Sequence, residues 1–592
     1  MQRIKVLPVF PEFPPSFWSY RYGVKMLGKK ATMPPTGLAT VAAMLPEEHF
    51  DLQRIVDMNV EPLRDEQLRE ADIIFTSSMI VQRKSNEEII ERAHKFGKKV
   101  VSGGPYPTSY HEQVSADYLV LGEAEVTLAP FLNDFLGGKA RRIYTEKNVE
   151  RDLTQLTKGG KPIVTNTPIP RWDLLNLNNY YSMAVQYSRG CPFDCEFCDI
   201  TALFGRESRT KTPEQMVREF DALYQADWRG AIFLVDDNFI GNAPNVRKLL
   251  PALEEWQKKN GYPFSFLTEA SVNLGNRNFS DILNGMVKAG FDHVFLGIES
   301  PDPDVLKKMD KGQNLGDLEE KVRNIQKAGL EVTGGFIIGA DGEKEGAAER
   351  LFDFVQSNGI VVPMPGLLTA LKDTKLYKRL EKEGRLRGDS SGNHTHSLGF
   401  NFVPEREEQT LIGEYKTLLG KLFDSKNYFE RCRTLNERRG DFHKMSVTKA
   451  DVKAFFNIVY EKVIRHPDRE FTKYLLETAV HSPSIFPVAV AQGVKLHHFQ
   501  TMTKATLAVE EYKGHVDTLY ERFQERVADM KKETHDFFDR VSAAEKEIVS
   551  EARRKYGKIH SDFRAGARGA YKNLLQRVSQ YKEQLAGVQS AV

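Results

Sequence analysis

The chain is poor in cysteine and tryptophan, with four of each among 592 residues, and it is poor in net charge. Lys and Arg number 83 against 81 Asp and Glu, so no strong field draws the protein to nucleic acid without sequence selection. A nucleic-acid partner is not expected. No stretch approaches the ~20 uncharged apolar residues that span a bilayer, and the start MQRIKVLPVFPEFPP has no apolar signal core. Both point to a cytoplasmic protein without a transmembrane segment. A secreted disulfide framework would distribute cysteines in pairs. Here Cys191, Cys195 and Cys198 cluster on one short stretch and Cys432 stands alone. P-loop, GxSxG and HExxH motifs are absent, which removes the usual phosphate clamp, serine nucleophile and helical zinc site.

What is present is the balance of a folded chain, 41% apolar and 28% charged, with 27 prolines and 43 glycines spread along it. The length predicts three or four domains. Over residues 1–150 short apolar runs alternate with helical patterns: IKVLPVF, DLQRIVDMN, DIIFTSSM, KKVVSGGP and DYLVLGE are separated by GLATVAAMLPE, EQLREA and NEEIIERAHKFG. That alternation predicts a Rossmann-like α/β domain, with a parallel sheet whose ligand sits beyond the carboxyl ends of the strands. Two of those ends are rich in small residues, Thr76, Ser77, Ser78 and Met79 at one, Ser102, Gly103 and Gly104 at the other.

Residues 151–180 are punctuated by Pro and Gly and read as a linker. A second alternating series occupies 181–400, with strands expected at MAVQYS, AIFLVDD, FSFLTEA, HVFLGIES, VTGGFIIG and IVVPMPGLL. Six βα units in this length predict a partial (β/α)6 barrel of the TIM type. Residues 401–505 form an α-helical region. After Pro487 there is no proline, and from Val516 a heptad runs through Phe523, Met530, Phe537 and Ala544, with Tyr520, Val527, Thr534, Val541 and Ile548 on its second position. Residues 506–592 are therefore expected to form a long helix, paired either with a returning arm after Gly557 or with a second copy. A membrane-surface helix is the third reading.

In YSRGCPFDCEFCDI the cysteines are spaced CxxxCxxC directly after the first strand of the second series. Three thiolates on a short loop can hold one four-iron cubane and leave an iron open for a substrate. The alternatives are inert thiols or a structural zinc. Zinc would need a fourth Cys or His nearby, and residues 112–292 offer no other.

These residues resemble the radical S-adenosylmethionine superfamily, whose signature CxxxCxΦC takes an aromatic at Φ, matched by Phe197. The resemblance implies a [4Fe-4S] cluster on Cys191, Cys195 and Cys198, with S-adenosylmethionine chelating the open iron and cleaved to a 5′-deoxyadenosyl radical. It implies contacts to S-adenosylmethionine from Asp236 and Asp237 after the second strand, from Glu269 and Glu299 at the ends of the third and fourth, and from Gly335 and Ile337 of a GxIxGxxE-like segment. The acidic residue of that segment, Glu343, stands one place late, and its role is not carried over.

The first domain, with VVSGGPYPTS and YLVLGEAE, resembles the cobalamin-binding domain of the class B radical methylases. That resemblance places the corrin over Thr76, Ser77, Ser78 and Met79 and the nucleotide tail past Ser102, Gly103 and Gly104, with Gly122 and Glu123 at the third strand end. The DxHxxG motif is absent, and His49, His94 and His111 lack its spacing, so no histidine is expected on cobalt. From PEFPPSFWSYRYGVKMLGKKATMPPTGL to IFPVAVAQGVKLHHF, over 1–505, the chain looks like the subgroup that includes hopanoid C-2 methylases. The implied reaction is methylation of an unactivated carbon in a small or lipid-like substrate, with an electron donor such as flavodoxin or ferredoxin. A cyclase, oxidase or rrearrangement enzyme with the same cofactors, and a cobalamin-responsive binding protein, are the alternatives. Aromatics at Phe13, Phe17, Trp18, Tyr20 and Tyr22 either cover the cobalamin and substrate or pack in an interdomain seam. His394 and His396 either reach the pocket or lie in a solvent loop.

Overall fold

In the computed structural model residues 3–393, 398–442, 447–530 and 536–589 are described; His394, His396 and Thr534 lie outside them. The chain divides into two compact units, Met1–His498 and Phe499–Val592.

The first unit opens with a parallel sheet of β1 (Ile4–Phe10), β2 (Phe50–Leu52), β3 (Val56–Asp57), β4 (Ile73–Ser77), β5 (Lys99–Gly103), β6 (Tyr118–Val120) and β7 (Ile143–Tyr144). Their order is β2-β1-β4-β5-β6-β7, with β3 also on β1. The strand order reverses between β1 and β4, the kind of place where open α/β sheets bind ligands. The run DLQRIVDMN is two strands rather than one, because the amide of Ile55 leaves β1 to donate to the carbonyl of Leu174 at 3.1 Å. The pair Ile143–Tyr144 is too short for any period to signal it. Ile89, Ile90 and Ala93 of the helix Arg83–Lys95 pack with Val100 and Leu119 into one apolar core.

The second sheet contains β8 (Ser182–Val185), β11 (Gly230–Leu234), β12 (Phe264–Ala270), β13 (Phe291–Glu299), β14 (Glu331–Ile338) and β15 (Val362–Leu367). A two-stranded antiparallel hairpin, β9 (Ser188–Arg189) with β10 (Arg209–Thr210), follows β8 and frames the cysteine loop. Each barrel strand pairs in parallel with its predecessor in the series, and β8 and β15 are the two edges. This is the expected six-stranded partial barrel. On its outer face Phe266 meets Phe220 with ring centroids 5.1 Å apart, and Phe264 stacks on Trp256 at 5.1 Å, so the helices Pro213–Gln225 and Ala243–Lys259 are held by aromatic packing. Beyond β15 the helices Glu408–Leu422, Ser425–Arg438, Lys449–Val459 and Arg469–His481 complete the first unit, together with the start of a 43-residue helix, Phe486–Ala528.

The second unit corrects the expected long helix. The helix begins already at Phe486, ends at Ala528, and is followed by two more, Phe537–Lys558 and Arg564–Gln589. Val516, Phe523, Val527, Phe537, Val541, Ala544 and Ile548 are all buried, but on helices that run past each other. Arg526 pairs with Glu547 at 2.7 Å, and His515 approaches Glu551 at 3.0 Å. A heptad fits two opposed helices as well as one continuous helix, so the period could not register the reversal. Leu519 is fully buried, while Tyr520 is only half-buried under the guanidinium of Arg577.

Candidate active site

The cysteine loop leaves β8 under tight control. Asp236, buried after β11, accepts from the amides of Tyr187 at 2.8 Å and Ser188 at 3.0 Å and from the Ser188 hydroxyl at 2.9 Å. Asp237 accepts from the amide of Gly190 at 2.7 Å. Gly190 has φ +86, and a Cβ there would collide with the Glu207 carbonyl, so glycine is required where the loop closes onto the hairpin. Asp236 thus spends its carboxylate on the strand end that aims the loop. Burial pushes Asp236 up to about 7 and Asp237 up to about 6.

The three cysteines are brought together with polar donors. Gln313 Nε2 donates to Cys195 Sγ at 3.2 Å, and Asn238 Nδ2 approaches Cys191 Sγ at 3.9 Å while its Oδ1 accepts from the Ser271 amide. Lys311 Nζ donates to Glu299 at 2.8 Å and sits 5.6 Å from the ring centre of Phe197. Burial opposes the Lys311 charge, but Glu299 and the Cys195 sulfur raise its pKa overall. Burial also pushes the Cys191 and Cys198 thiols up, so their thiolate forms need a cation close by. Among the described residues no three His, Cys, Asp or Glu side chains converge on a single-ion site. A four-iron cluster gives each thiolate its own iron and does not need that convergence. The donor set, with N–H groups aimed at sulfur and an ammonium beside it, fits such a cluster.

The barrel's inner face continues the site. Glu269 is half-buried and makes no side-chain hydrogen bond or salt bridge among the described residues; burial, and then Asp237, Asp236 and Glu299, push it up to about 8. Glu299 holds φ +62, a strained angle for a residue with a side chain. Gly297 and Gly335 pair across β13 and β14. A Cβ on Gly297 would come within 2.6 Å of Glu299 Oε1, and one on Gly335 within 2.7 Å of the Phe295 ring. The paired glycines make a bare shelf between Glu269 and Glu299. Ile337 is half-buried beyond it. Glu343, the displaced acid, accepts from the Gly339 amide at 2.9 Å and pairs with Arg406 at 3.2 Å, so it closes its own turn.

In the first sheet Thr76 Oγ1 donates to Ser102 Oγ at 2.9 Å, and both residues are buried. Ser78 Oγ is buried without a partner among the described residues, while Met79 is half exposed at the tip. Gly103 leaves 2.8 Å between a Cβ and the Val120 carbonyl, and Gly104, at φ 92 and ψ −177, leaves 2.7 Å to Ser77 Oγ. This cradle, with its orphaned hydroxyl, fits a large polar ligand passing over the strand ends. Gly122 donates its amide to Thr108 Oγ1 at 3.0 Å. Glu123 takes Arg209 at 2.8 Å, and Glu125 takes Arg189 at 2.8 Å, so Glu123 binds the barrel's hairpin. His94 pairs with Asp117 at 2.9 Å. Of the amino-terminal aromatics, Phe17 packs on Phe423, Tyr20 stacks on His498, Tyr22 is buried and Phe13 meets Phe10, whereas Trp18 lies 4.9 Å from Phe295 inside the barrel. Cys432 is fully buried.

The sequence did not point to Lys311, Gln313, Asn238, Arg189 or Arg209. Asn238 directly follows the Asp pair and could have been taken with it. Lys311 and Gln313 come from a connection whose path no period reports.

Family models match along the chain in the same order as these sites: "B12 binding domain" over 29–132, "Radical SAM superfamily" over 185–355 and "Domain of unknown function (DUF4070)" over 374–512. An uncharacterized methyltransferase of Synechocystis sp. is 40% identical over 84% of this chain and 91% of its own, and the hopanoid C-2 methylase of Rhodopseudomonas palustris is 36% identical over 65% and 72%. The chain belongs to the cobalamin-dependent radical S-adenosylmethionine methyltransferases. Its fold agrees: the methyltransferase TsrM from Kitasatospora setae, solved with cobalamin and a [4Fe-4S] cluster bound, covers 84% of this chain and 99% of its own at a TM-score of 0.54 and 15% identity. The cofactors of this family of methyltransferases are a [4Fe-4S] cluster, S-adenosylmethionine and cobalamin. No helix among the described residues is long and apolar enough to cross a membrane.

Proposed function

We propose that this methyltransferase acts on an unactivated carbon of a small, lipid-like substrate held between its two sheets. The observation that carries the reading is that the carboxyl ends of the two sheets face each other. Glu123 after β6 binds Arg189 and Arg209 beside the cysteine loop. Lys372, beyond β15, donates its amide to the Tyr110 hydroxyl, beyond β5, at 3.4 Å. Ligands at both sets of strand ends would therefore open on one space.

In this reading Cys191, Cys195 and Cys198 hold the cluster. Asp237, Glu269 and Glu299, with Phe197, Gly335 and Ile337, would hold S-adenosylmethionine, and Asp236 positions the loop. Thr76, Ser77, Ser78, Met79, Ser102, Gly103, Gly104 and Gly122 cradle the cobalamin. Bound there, the cofactors supply hydrogen-atom abstraction and methyl donation. The chain's own residues do the rest. Glu269, near 8, carries its proton at neutral pH and gives it up when a sulfonium or ammonium approaches, because an adjacent cation favours the carboxylate. Lys311 holds Glu299 in place through its 2.8 Å hydrogen bond. A cytoplasmic location and a one-electron donor of the flavodoxin or ferredoxin type complete the reading.

The test is incubation of the reconstituted protein with methyl-deuterated S-adenosylmethionine, a one-electron donor and a panel of hopanoids and other polycyclic lipids. Deuterium in the product together with 5′-deoxyadenosine supports methyl transfer. 5′-Deoxyadenosine with an unlabelled, altered product assigns the chain to cyclisation, oxidation or rearrangement instead.

A further inference from the structure

Sixteen large apolar side chains are exposed among the described residues, and seven of them fall between Val447 and Val480. Single exposed apolar residues are ordinary, whereas a cluster marks a surface that something covers. The stretch is two helices joined by a turn: Lys449–Val459, continued by a π-helix over Tyr460–Arg465, and then Arg469–His481.

The inner faces of both helices are packed. Ala454 and Ile458 are buried, the Phe455 ring meets Phe486 at 5.8 Å, and Asn457 Nδ2 donates to the Met26 carbonyl at 2.6 Å. Phe471, Tyr474 and Thr478 are buried on the second helix. The outer faces are apolar too. Val452, Phe456, Tyr460 and Ile464 recur at every fourth residue, and Phe456 and Ile464 are 65% and 66% exposed. In an α-helix a spacing of four overshoots the turn of about 3.6 residues, so such a stripe drifts around the axis. The π-helix bonds five residues apart and turns less per residue, which draws Ile464 back into line with Phe456. On the second helix Arg469, Lys473, Leu476 and Val480 share one exposed face.

Charge on this stretch is sorted by depth. Lys449, Lys453, Arg465, Arg469 and Lys473 are exposed, while the five acids Asp451, Glu461, Asp468, Glu470 and Glu477 are all half-buried. Asp451 accepts from the Thr448 amide at 2.8 Å, Asp468 from the Phe471 amide at 3.1 Å and Glu477 from Arg433 Nη2 at 2.7 Å. Glu461 faces Arg465 at 3.2 Å and Glu477 lies 3.9 Å from Lys473, which leaves Lys449, Lys453 and Arg469 without a carboxylate partner among the described residues. The outward charge is positive.

We propose that this face docks on a membrane surface. Val452, Phe456, Tyr460 and Ile464 enter the boundary between headgroups and acyl chains, and the exposed Lys and Arg side chains take anionic lipid headgroups. Helices that lie in that plane combine an apolar face with cations on the polar side. The core of a protein interface is depleted of charge. Here cations alternate with the apolar side chains, and a Lys or Arg can lay its stem along apolar surface while its head stays among headgroups. Attachment of this kind is separate from the chemistry at the strand ends and holds whether or not the substrate is a lipid.

The cofactor-loaded protein is floated with vesicles of phosphatidylcholine, with or without an equal share of phosphatidylglycerol. Wild type should float with the mixed vesicles and bind phosphatidylcholine alone about tenfold more weakly. Phe456→Ser combined with Ile464→Ser should weaken binding to the mixed vesicles by about tenfold or more. Lys449→Ser, Lys453→Ser and Arg469→Ser together should remove the preference for phosphatidylglycerol. Leu153→Ser, at a residue 75% exposed outside this face, should float as wild type does. Iron and cobalamin content per chain shows that each variant is folded, and Leu476→Ser with Val480→Ser replaces the first pair should that pair fail the check. Wild type that does not float with the mixed vesicles, a folded serine pair that floats as well as wild type, or an equal loss in Leu153→Ser overturns the proposal. A concentration-dependent dimer that the serine pair abolishes, with no vesicle binding by wild type, assigns the face to a second copy and overturns it as well.

Discussion

Arg189 donates to Glu123 at 2.9 Å, and Arg189 stands two residues before Cys191. One carboxylate from the first sheet therefore holds the root of the cluster loop in the second, and both side chains are largely buried. Truncating one partner of a buried pair leaves the other charge uncompensated, at a cost of about 3–5 kcal/mol. Glu123→Ala leaves Arg209 without a carboxylate partner among the described residues, while Arg189 keeps Glu125 at 2.8 Å. It is expected to lower the urea midpoint and to expose the 151–165 connection to limited proteolysis. Unchanged cleavage would show that the clasp does not hold the two sheets.

Cys195→Ala should reduce bound iron to background and abolish 5′-deoxyadenosine formation while leaving cobalamin content at the wild-type level, because the cobalamin cradle is built from a different sheet. Iron and corrinoid analysis on the same sample reads both halves. Parallel loss of cobalamin would show that the two sites are not independently formed.

Gly104→Ala adds a Cβ 2.7 Å from Ser77 Oγ at a backbone angle open only to glycine. The strain is about 1–3 kcal/mol and falls on the cradle itself. Cobalamin affinity should drop by about tenfold or more, with the iron content unchanged. Measurement is by corrinoid absorbance after gel filtration.

The Glu331–Lys495 pair sets a pH dependence. Burial works against the Glu331 charge, but Lys495 and His293 outweigh it and hold its pKa well below the ordinary value. An unfolded glutamate titrates near ~4.3. A carboxyl depressed on folding contributes stability that is present above its unfolded pKa and is lost as pH falls through the folded one. Because Glu331 also raises the pKa of His293, Glu331→Gln should lower the urea midpoint most between about pH 6 and pH 5, where both groups are charged, and the difference should shrink below about pH 4, as the wild type loses the same interaction. A difference that instead grows below about pH 5 would contradict the assignment.

The sequence by itself determined the two alternating series, the six barrel strands in order and the cysteine trio, because a parallel strand buried on both faces reads as an apolar run and a cluster loop keeps its spacing. Asp237, Glu269 and Glu299 were also legible as polar residues of strand ends, and they stand at or just past the ends of β11, β12 and β13. The tertiary structure decided the rest. Asp236 looks no different from Asp237 in the chain, yet one carboxylate is consumed by the backbone of Tyr187 and Ser188. Lys311 reaches Glu299 and Phe197 only through the turn of an intervening helix. Trp18 meets Phe295 across 277 positions of sequence. Local periodicity reports which face of an element is buried, whereas a site assembled from separate loops depends on where distant strand ends meet, and that is fixed only when the chain closes on itself.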